Sequence, residues 1–269
     1  MNNILFIDNL SFKYDNNNVF DNLSLSIKNG AFTTILGNNG SGKSTLVKLI
    51  AGLEKTNSPI FVDGIILNDI NLSTIRSKIG VVFDNPDCSL ISETVIEDLA
   101  FPLENMNYPS EYIFSRINDI SNYLGISHLL NRNPLELSGG EKQLVSLGCS
   151  LITGPKLLIL DESFSMLDDI TRINMLHLLK RINKDFGTTI INITHDIEES
   201  LYGDDIIIID NGRVVIHDSK DNVYKQEKLL KKLNFDLPFM IDLSNKLFYY
   251  DLVGEHIYDM NEMVDLLWK

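Results

Sequence analysis

The sequence predicts an α/β fold with a parallel core sheet, and three apolar runs predict it. Phe32-Thr33-Thr34-Ile35-Leu36, Leu157-Leu158-Ile159-Leu160 and Thr188-Thr189-Ile190-Ile191-Asn192-Ile193-Thr194 are each about one strand long. A parallel strand is covered on both faces, so it reads as a continuous hydrophobic run rather than an alternating one. Each run also ends in residues that carry chemistry: a glycine loop from Gly37, the pair Asp161-Glu162, and His195-Asp196. Open α/β sheets bind their ligands at the carboxyl ends of such strands.

The first run leads into Gly37-Asn38-Asn39-Gly40-Ser41-Gly42-Lys43-Ser44-Thr45, and the run from Thr45 to Ala51 reads as a helix. Strand, glycine loop and helix start are the context that a phosphate-binding loop requires. Glycines let the backbone wrap a polyphosphate, and unpaired N–H groups at the helix start point at it. Lys43 adds a point charge for the β- and γ-phosphates, and the Ser44 hydroxyl can reach Mg²⁺. The alternative is a glycine-rich turn without a ligand. Every fixed position of the motif is filled in the right context, so the segment predicts a bound nucleoside triphosphate.

Asp161, at the end of the second run, is placed to hold Mg²⁺ through water, and Glu162 to polarise an attacking water. An acidic strand end alone would equally suit an ordinary buried strand; the phosphate loop upstream favours the functional reading. His195, at the end of the third run, can contact a γ-phosphate. His128, His177, His217 and His256 have no such placement and read as surface or core residues.

Composition bounds the rest. At 269 residues and 44% hydrophobic, the chain can bury one large core with a small extension. Mean hydropathy is +0.02, a globular value. No apolar stretch approaches the roughly 18 residues of a membrane span, and Ile206 to Ile209 are bounded by Asp205 and Asp210. The first strand lacks a basic n-region, which speaks against a signal peptide. Cys88 and Cys149 lack metal-site spacing and suit a reducing cytosol. A net charge of −14 disfavours nucleic acid as a partner and favours one with a basic surface.

Ser138-Gly139-Gly140-Glu141 is a capping box that opens a helix from Lys142 to Leu151, with two glycines leaving backbone N–H groups accessible. It follows the phosphate loop by about a hundred residues and precedes Asp161-Glu162 by about 20. In order, spacing and residue type this arrangement resembles the ATP-binding cassette (ABC) ATPases. The resemblance implies an ABC-type P-loop NTPase with a RecA-like core, an antiparallel β subdomain, a helical subdomain over about 87–151, and a C-terminal extension. It places the cassette in residues 1–222 and the extension in 223–269. It implies ATP and Mg²⁺, with Lys43, Ser44 and Asp161 on the Mg·triphosphate, Glu162 on the water and His195 on the γ-phosphate. Tyr14 matches the aromatic that stacks on adenine; a strand aromatic in a small sheet is the plain alternative. In that family the signature, here Ser138 to Glu141, closes over the triphosphate of another subunit. Ser165-Met166-Leu167-Asp168 matches the loop that meets the partner across the dimer.

Three positions depart from the family pattern. Asp84 stands after the strand Ile79 to Phe83 where the family usually has glutamine. Beside a metal its charge would attract. Against a γ-phosphate at about 4 Å it would repel by roughly 4 kcal/mol at an effective dielectric near 20. Glu141 replaces the commoner glutamine, for which the capping box gives a structural reason. Leu144 removes a charge where the family often has arginine.

Phe83 to Asp87, followed by Val95 to Asn105, looks like the energy-coupling ATPases of vitamin and cobalt or nickel importers, the energy-coupling factor (ECF) type. Val95, Ile96, Leu99 and Ala100 recur at helical spacing and can pack inward, leaving Glu93, Glu97 and Asp98 outward. That acidic face is either a solvated surface or, as the resemblance implies, a groove for basic coupling helices of a membrane partner. The resemblance further implies a transmembrane coupling subunit, a substrate-binding membrane subunit, and pairing as a homodimer or with a paralogous ATPase. It places the chain peripherally on the cytoplasmic face of the membrane. In the extension, Leu229, Leu230 and Leu233 form a short apolar face. Asp259-x-x-Glu262 is a further capping pattern, with Met260, Met263, Val264, Leu267 and Trp268 at helical spacing after it. This stripe serves either subunit pairing, as the resemblance implies for the extension, or packing on its own domain. A soluble cassette ATPase of DNA repair or translation would bring coiled-coil arms, a duplicated cassette or a basic surface, and none is visible. A nucleotide-binding scaffold without turnover has only Asp84 in its favour.

Overall fold

The structure is a computed structural model and describes residues 3–254, 257 and 260–268. β1 (Asn3–Tyr14) and β2 (Asn17–Lys28) form a long antiparallel pair with mixed burial, as expected of strands with one face in water. β3 (Phe32–Leu36) is buried at every position and leads through the glycine loop into α1 (Lys43–Ile50). β4 (Ile60–Val62) and β5 (Ile65–Ile66) complete a four-stranded antiparallel sheet ordered β2-β1-β4-β5. The short helix α2 (Leu72–Arg76) returns the chain to β6 (Ile79–Val82).

After β6 the chain leaves the sheet for α3 (Val95–Asn105), α4 (Ser110–Leu124) and α5 (Gly139–Leu151). α5 begins at Gly139, earlier than the glycines suggest, because Ser138 caps it and both glycines form its first turn. β7 (Leu157–Asp161) re-enters the sheet, followed by α6 (Asp169–Phe186) and β8 (Thr189–Thr194). β9 (Asp205–Asp210) and β10 (Arg213–Ser219) close it. The second sheet is ordered β10-β9-β3-β8-β7-β6; its neighbours run parallel except for the β9–β10 pair.

Alternation within the buried strands divides the core. Ile159 and Leu157 face the antiparallel sheet together with Leu46, Val47, Leu49 and Ile50 of α1, so that α1 is packed between the two sheets. Leu158 and Leu160 face the other way, onto α5 and α6 through Val145, Leu147, Met175 and Leu179. Each of these fully buried side chains contributes about 1.5–3 kcal/mol of transfer free energy.

The chain continues as α7 (Lys220–Tyr224), α8 (Glu227–Lys232), α9 (Phe239–Tyr249) and α10 (Met260–Leu267). Val223, Tyr224, Leu230, Phe235, Leu237 and Ile241 share one apolar cluster with Leu36, Ile206 and Ile208 of the parallel sheet. Residues 223–241 are therefore packed onto the sheet at β3 and β9, beside the phosphate loop. No helix among the described residues is long and apolar enough to cross a membrane.

Candidate active site

Parallel pairing puts the chemistry-bearing strand ends side by side. Leu36 pairs with Thr194, Ile193 with Asp161, and Leu160 with Val82. The phosphate loop, His195, Asp161-Glu162 and Asp84 thus leave neighbouring strands along one edge, in the order β3, β8, β7, β6. Neighbouring strands lie about 4.8 Å apart, within reach of extended side chains.

Two glycines shape the loop. Gly42 holds φ +102°, and a Cβ there would meet the Phe20 ring at 2.8 Å. A Cβ on Gly37 would lie 2.7 Å from the Ile209 carbonyl. Lys43 follows at only 4% exposure, and a buried ammonium needs partners. Its Nζ donates to the carbonyls of Gly37 at 2.8 Å and Asn38 at 3.1 Å, and lies 3.2 Å from Glu162 Oε1. Glu162 Oε2 meets His195 Nδ1 at 3.2 Å. One carboxylate thereby bridges the phosphate-loop lysine and the histidine that follows β8. Glu162 itself sits at φ +48°, sparsely populated for a non-glycine residue, with its N–H held by the Ile193 carbonyl at 2.9 Å. Backbone outliers of this kind cluster at functional sites.

Ser44 Oγ donates to Asp161 Oδ1 at 3.1 Å. Burial pushes the Asp161 carboxyl up to about 6 and the Glu162 and Asp84 carboxylates push the same way, against the Ser44 hydrogen bond and the Lys43 charge. Asp161 thus binds its proton more tightly folded than unfolded, where 3.8 is the reference. The stability it contributes is fully present below pH 3.8 and is lost as pH rises through about 6. Nucleotide-free Asp161→Asn is therefore expected to melt above the wild type at pH 7.5, with the gap closing at pH 4. An equal gap at both pH values, read by thermal melts, would refute this.

These residues fit a magnesium triphosphate. Mg²⁺ takes one or two carboxylates and leaves its other positions to water and phosphate oxygens; Ser44 and Asp161 offer a hydroxyl and a carboxylate in contact. Ser41 Oγ, inside the glycine loop, is buried without a hydrogen-bond partner. An anion oxygen would satisfy it.

The other sequence-predicted residues fall at defined places around this cluster. Asp84 is exposed after β6, and its carbonyl accepts from Gln143 Nε2 at 3.1 Å. The only sequence signal for Gln143 is a glutamine among the apolar positions of α5; it is 2% exposed and ties α5 to the Asp84 loop. Ser138 and Glu141 form the capping box, with the Ser138 N–H and hydroxyl both 2.8 Å from Glu141 Oε2 and holding that carboxyl below the usual range. Gly139 has open space where a Cβ would be, while Gly140 packs near Thr171. Asp168 caps α6 by accepting from Thr171 N–H at 3.0 Å, leaving Met166 of the same loop 83% exposed. Tyr14 lies edge-on to Phe12 and its hydroxyl donates to Glu54 at 3.2 Å. Asn39, Gly40 and Thr45 complete the loop, with Asn39 and Gly40 exposed.

One expectation is corrected. Asp98 does not face outward with Glu97: it is 4% exposed, and its Oδ1 accepts from the N–H groups of Ile91 and Ser92, each at 3.0 Å. The periodicity of Val95, Ile96, Leu99 and Ala100 leaves Asp98 at the margin of the apolar face, and the preceding loop folds over it. Glu97 instead completes a capping box, accepting from Thr94 N–H at 3.0 Å. In α10, Met263 turns inward against Met240 and Val253, whereas Met260, Val264 and Leu267, and Trp268 just after the helix, stay exposed. Asp259 and His256 lie outside the described residues.

Fold and site together define a P-loop ATPase of the ATP-binding cassette class. The family model described as ABC transporter matches residues 20–165. The energy-coupling factor transporter ATP-binding protein EcfA1 of Ligilactobacillus salivarius is 39% identical, covering 98% of this chain and 95% of its own length. EcfA1 of Streptococcus agalactiae serotype Ia is 36% identical, covering 100% and 98%. Among solved structures, CbiO1 from Clostridium perfringens, part of an ABC transporter complex, superposes with a TM-score of 0.79 at 33% identity, over 87% of this chain and 95% of that one. A dimeric ATP-binding cassette in a post-hydrolysis state, bound to ADP and Pi, gives 0.71 at 30% identity, over 80% and 98%. The chain belongs to the energy-coupling factor ATP-binding proteins of the ABC transporter family: it binds ATP and hydrolyses it.

Proposed function

We propose that this ATPase powers uptake of vitamins or transition-metal ions through separate membrane subunits, a transmembrane coupling subunit and a substrate-binding one. The observation that carries the chemistry is the convergence of Lys43, Glu162 and His195, drawn from three strand ends onto one carboxylate. Lys43 exchanges its loop carbonyls for β- and γ-phosphate oxygens, and the backbone from Gly37 to Thr45 cradles the rest. Glu162 orients water, and His195 contacts the γ-phosphate. Ser44 and Asp161 would hold Mg²⁺, which neutralises phosphate charge when bound. Asp84 is the weaker candidate ligand: it is exposed after β6, and its charge acts on Asp161 from a distance, whereas Ser44 touches Asp161 directly. Tyr14 would stack on adenine, and Ser138 to Glu141 would close over the triphosphate of a second subunit.

The cassette is assigned to residues 1–222 and the extension to 223–269. A groove between α3 and α4, lined by Ile96, Glu97, Ala100, Glu104, Phe114 and Ile117, offers an apolar floor with two carboxylates at its rim. That chemistry fits a basic amphipathic helix of the membrane partner, which would hold the chain peripherally on the cytoplasmic face. Tagged chain recovered from detergent-solubilised membranes should bring down integral membrane proteins identifiable by mass spectrometry. Recovery of this chain and its paralogues alone would sink the transporter reading.

The exposed side chains Met260, Val264, Leu267 and Trp268 support pairing through the extension, as a homodimer or with a paralogue. Deleting residues 259–269 is expected to weaken dimers in the absence of ATP. An unchanged mass distribution in solution at micromolar concentration would show that the stripe does not pair subunits.

A further inference from the structure

The extension touches the nucleotide site at two points. In the phosphate loop, Asn38 Nδ2 donates to the Leu233 carbonyl, just past α8, at 3.0 Å. In the loop after His195, Glu198 Oε1 accepts from the N–H of Phe239, the first residue of α9, at 2.6 Å. Only the short segment 233–239 separates the two contacts. It is fixed from beneath, because Phe235 and Leu237 share an apolar cluster with Leu36, the residue before the phosphate loop, and with Ile197 beside Glu198. Asn38 lies in a glycine-rich loop and Glu198 in a single short 3₁₀ stretch, the kinds of segment that open locally most easily. Both are tied to one buried support.

We propose that residues 233–239 form a positioning strap. Asn38 and Glu198 are positioning residues through which the C-terminal extension sets the placement of the phosphate loop and of His195 relative to each other. Holding two catalytic loops at a fixed separation before ATP arrives is the preorganisation that lowers a phosphoryl-transfer barrier. A displacement of the extension would then reach both sides of the γ-phosphate at once. The strap rests on the reading of the phosphate loop and His195 as the ATP site. If that reading failed, Glu162→Gln would leave turnover intact, whatever the strap variants did.

The full-length chain tests the proposal by steady-state ATPase kinetics alongside binding of a fluorescent ATP analogue and thermal melts. Phe239→Pro removes little besides the donor N–H. Proline is well tolerated at a first helical position, Pro238 already has the extended φ −51° and ψ 143° that a following proline requires, and the Phe239 ring is 59% exposed. Glu198→Ala removes the acceptor, and Glu198→Gln keeps a carbonyl oxygen in its place. Phe239→Pro and Glu198→Ala are each expected to lower kcat about five-fold with KM within about two-fold, and their combination should be no worse than either. Glu198→Gln should restore most of the rate. Asn38→Ala should act mainly on KM, raising it about five-fold. Unchanged kinetics, additive losses in the double variant, or equal loss in Glu198→Gln would overturn the strap. Losses that track the melting temperature across the variants would overturn it too, by reducing the contacts to general stability.

Discussion

Glu162→Gln is expected to keep ATP binding and to lower turnover at least about tenfold, a barrier increase of about 1.4 kcal/mol or more. The substitution is close to isosteric, and its amide oxygen can still accept from Lys43 Nζ, which lies 3.2 Å from the native Oε1. The phosphate loop should therefore hold its shape. What disappears is the charge that polarises water, at the one residue that also touches His195 and holds a left-handed backbone. General-base assistance from a positioned side chain is worth about 10²–10⁴-fold. The measurement is steady-state hydrolysis by the complete complex, with analogue binding as the control for affinity. Hydrolysis near the wild-type rate would remove Glu162 from the mechanism.

How much of this site could be read from the sequence follows from how local each feature is. The phosphate loop, the Asp161-Glu162 strand end and the Ser138–Glu141 capping box are short patterns whose chemistry depends on near neighbours. The structure places the first two together with His195 because parallel register aligns the ends of β3, β8 and β7, while the capping box opens α5. The Glu162 bridge between Lys43 and His195 required only that alignment. Asp98 escapes the periodicity because a helical period describes what a helix can bury against its neighbours, not what its own N-terminal loop folds over it. Its carboxylate replaces two solvent bonds of Ile91 and Ser92 N–H groups, a demand invisible to a period of 3.6 residues. Gln143 was legible in principle, as a polar side chain among the apolar positions of α5. The Asn38 to Leu233 contact was not, since a side-chain amide on a backbone carbonyl 195 residues away leaves no pattern at either end.

The corrected orientation of Asp98 also changes how the membrane partner must be tested. Reversing Asp98 would bury an ammonium among groups arranged for a carboxylate, and loss of assembly would then report only a damaged fold. The groove offers a cleaner pair. Glu104 is exposed near the C-terminal end of α3, where a lysine is favoured by the helix dipole, so Glu104→Lys should leave the fold intact. Glu97 serves the Thr94 capping box, which accepts glutamine as readily as glutamate, so Glu97→Gln removes the charge and keeps the cap. The combined variant is expected to lose at least about tenfold in recovery of membrane subunits while binding nucleotide normally, because like charges set across an interface cost several kcal/mol. Wild-type assembly should weaken with added salt as these rim charges are screened within about 8–10 Å. The phosphate site lies on other loops, and a thermal melt of the double variant should match the wild type. Membrane subunits recovered at wild-type yield by a well-folded Glu97→Gln, Glu104→Lys chain would show that the partner docks elsewhere.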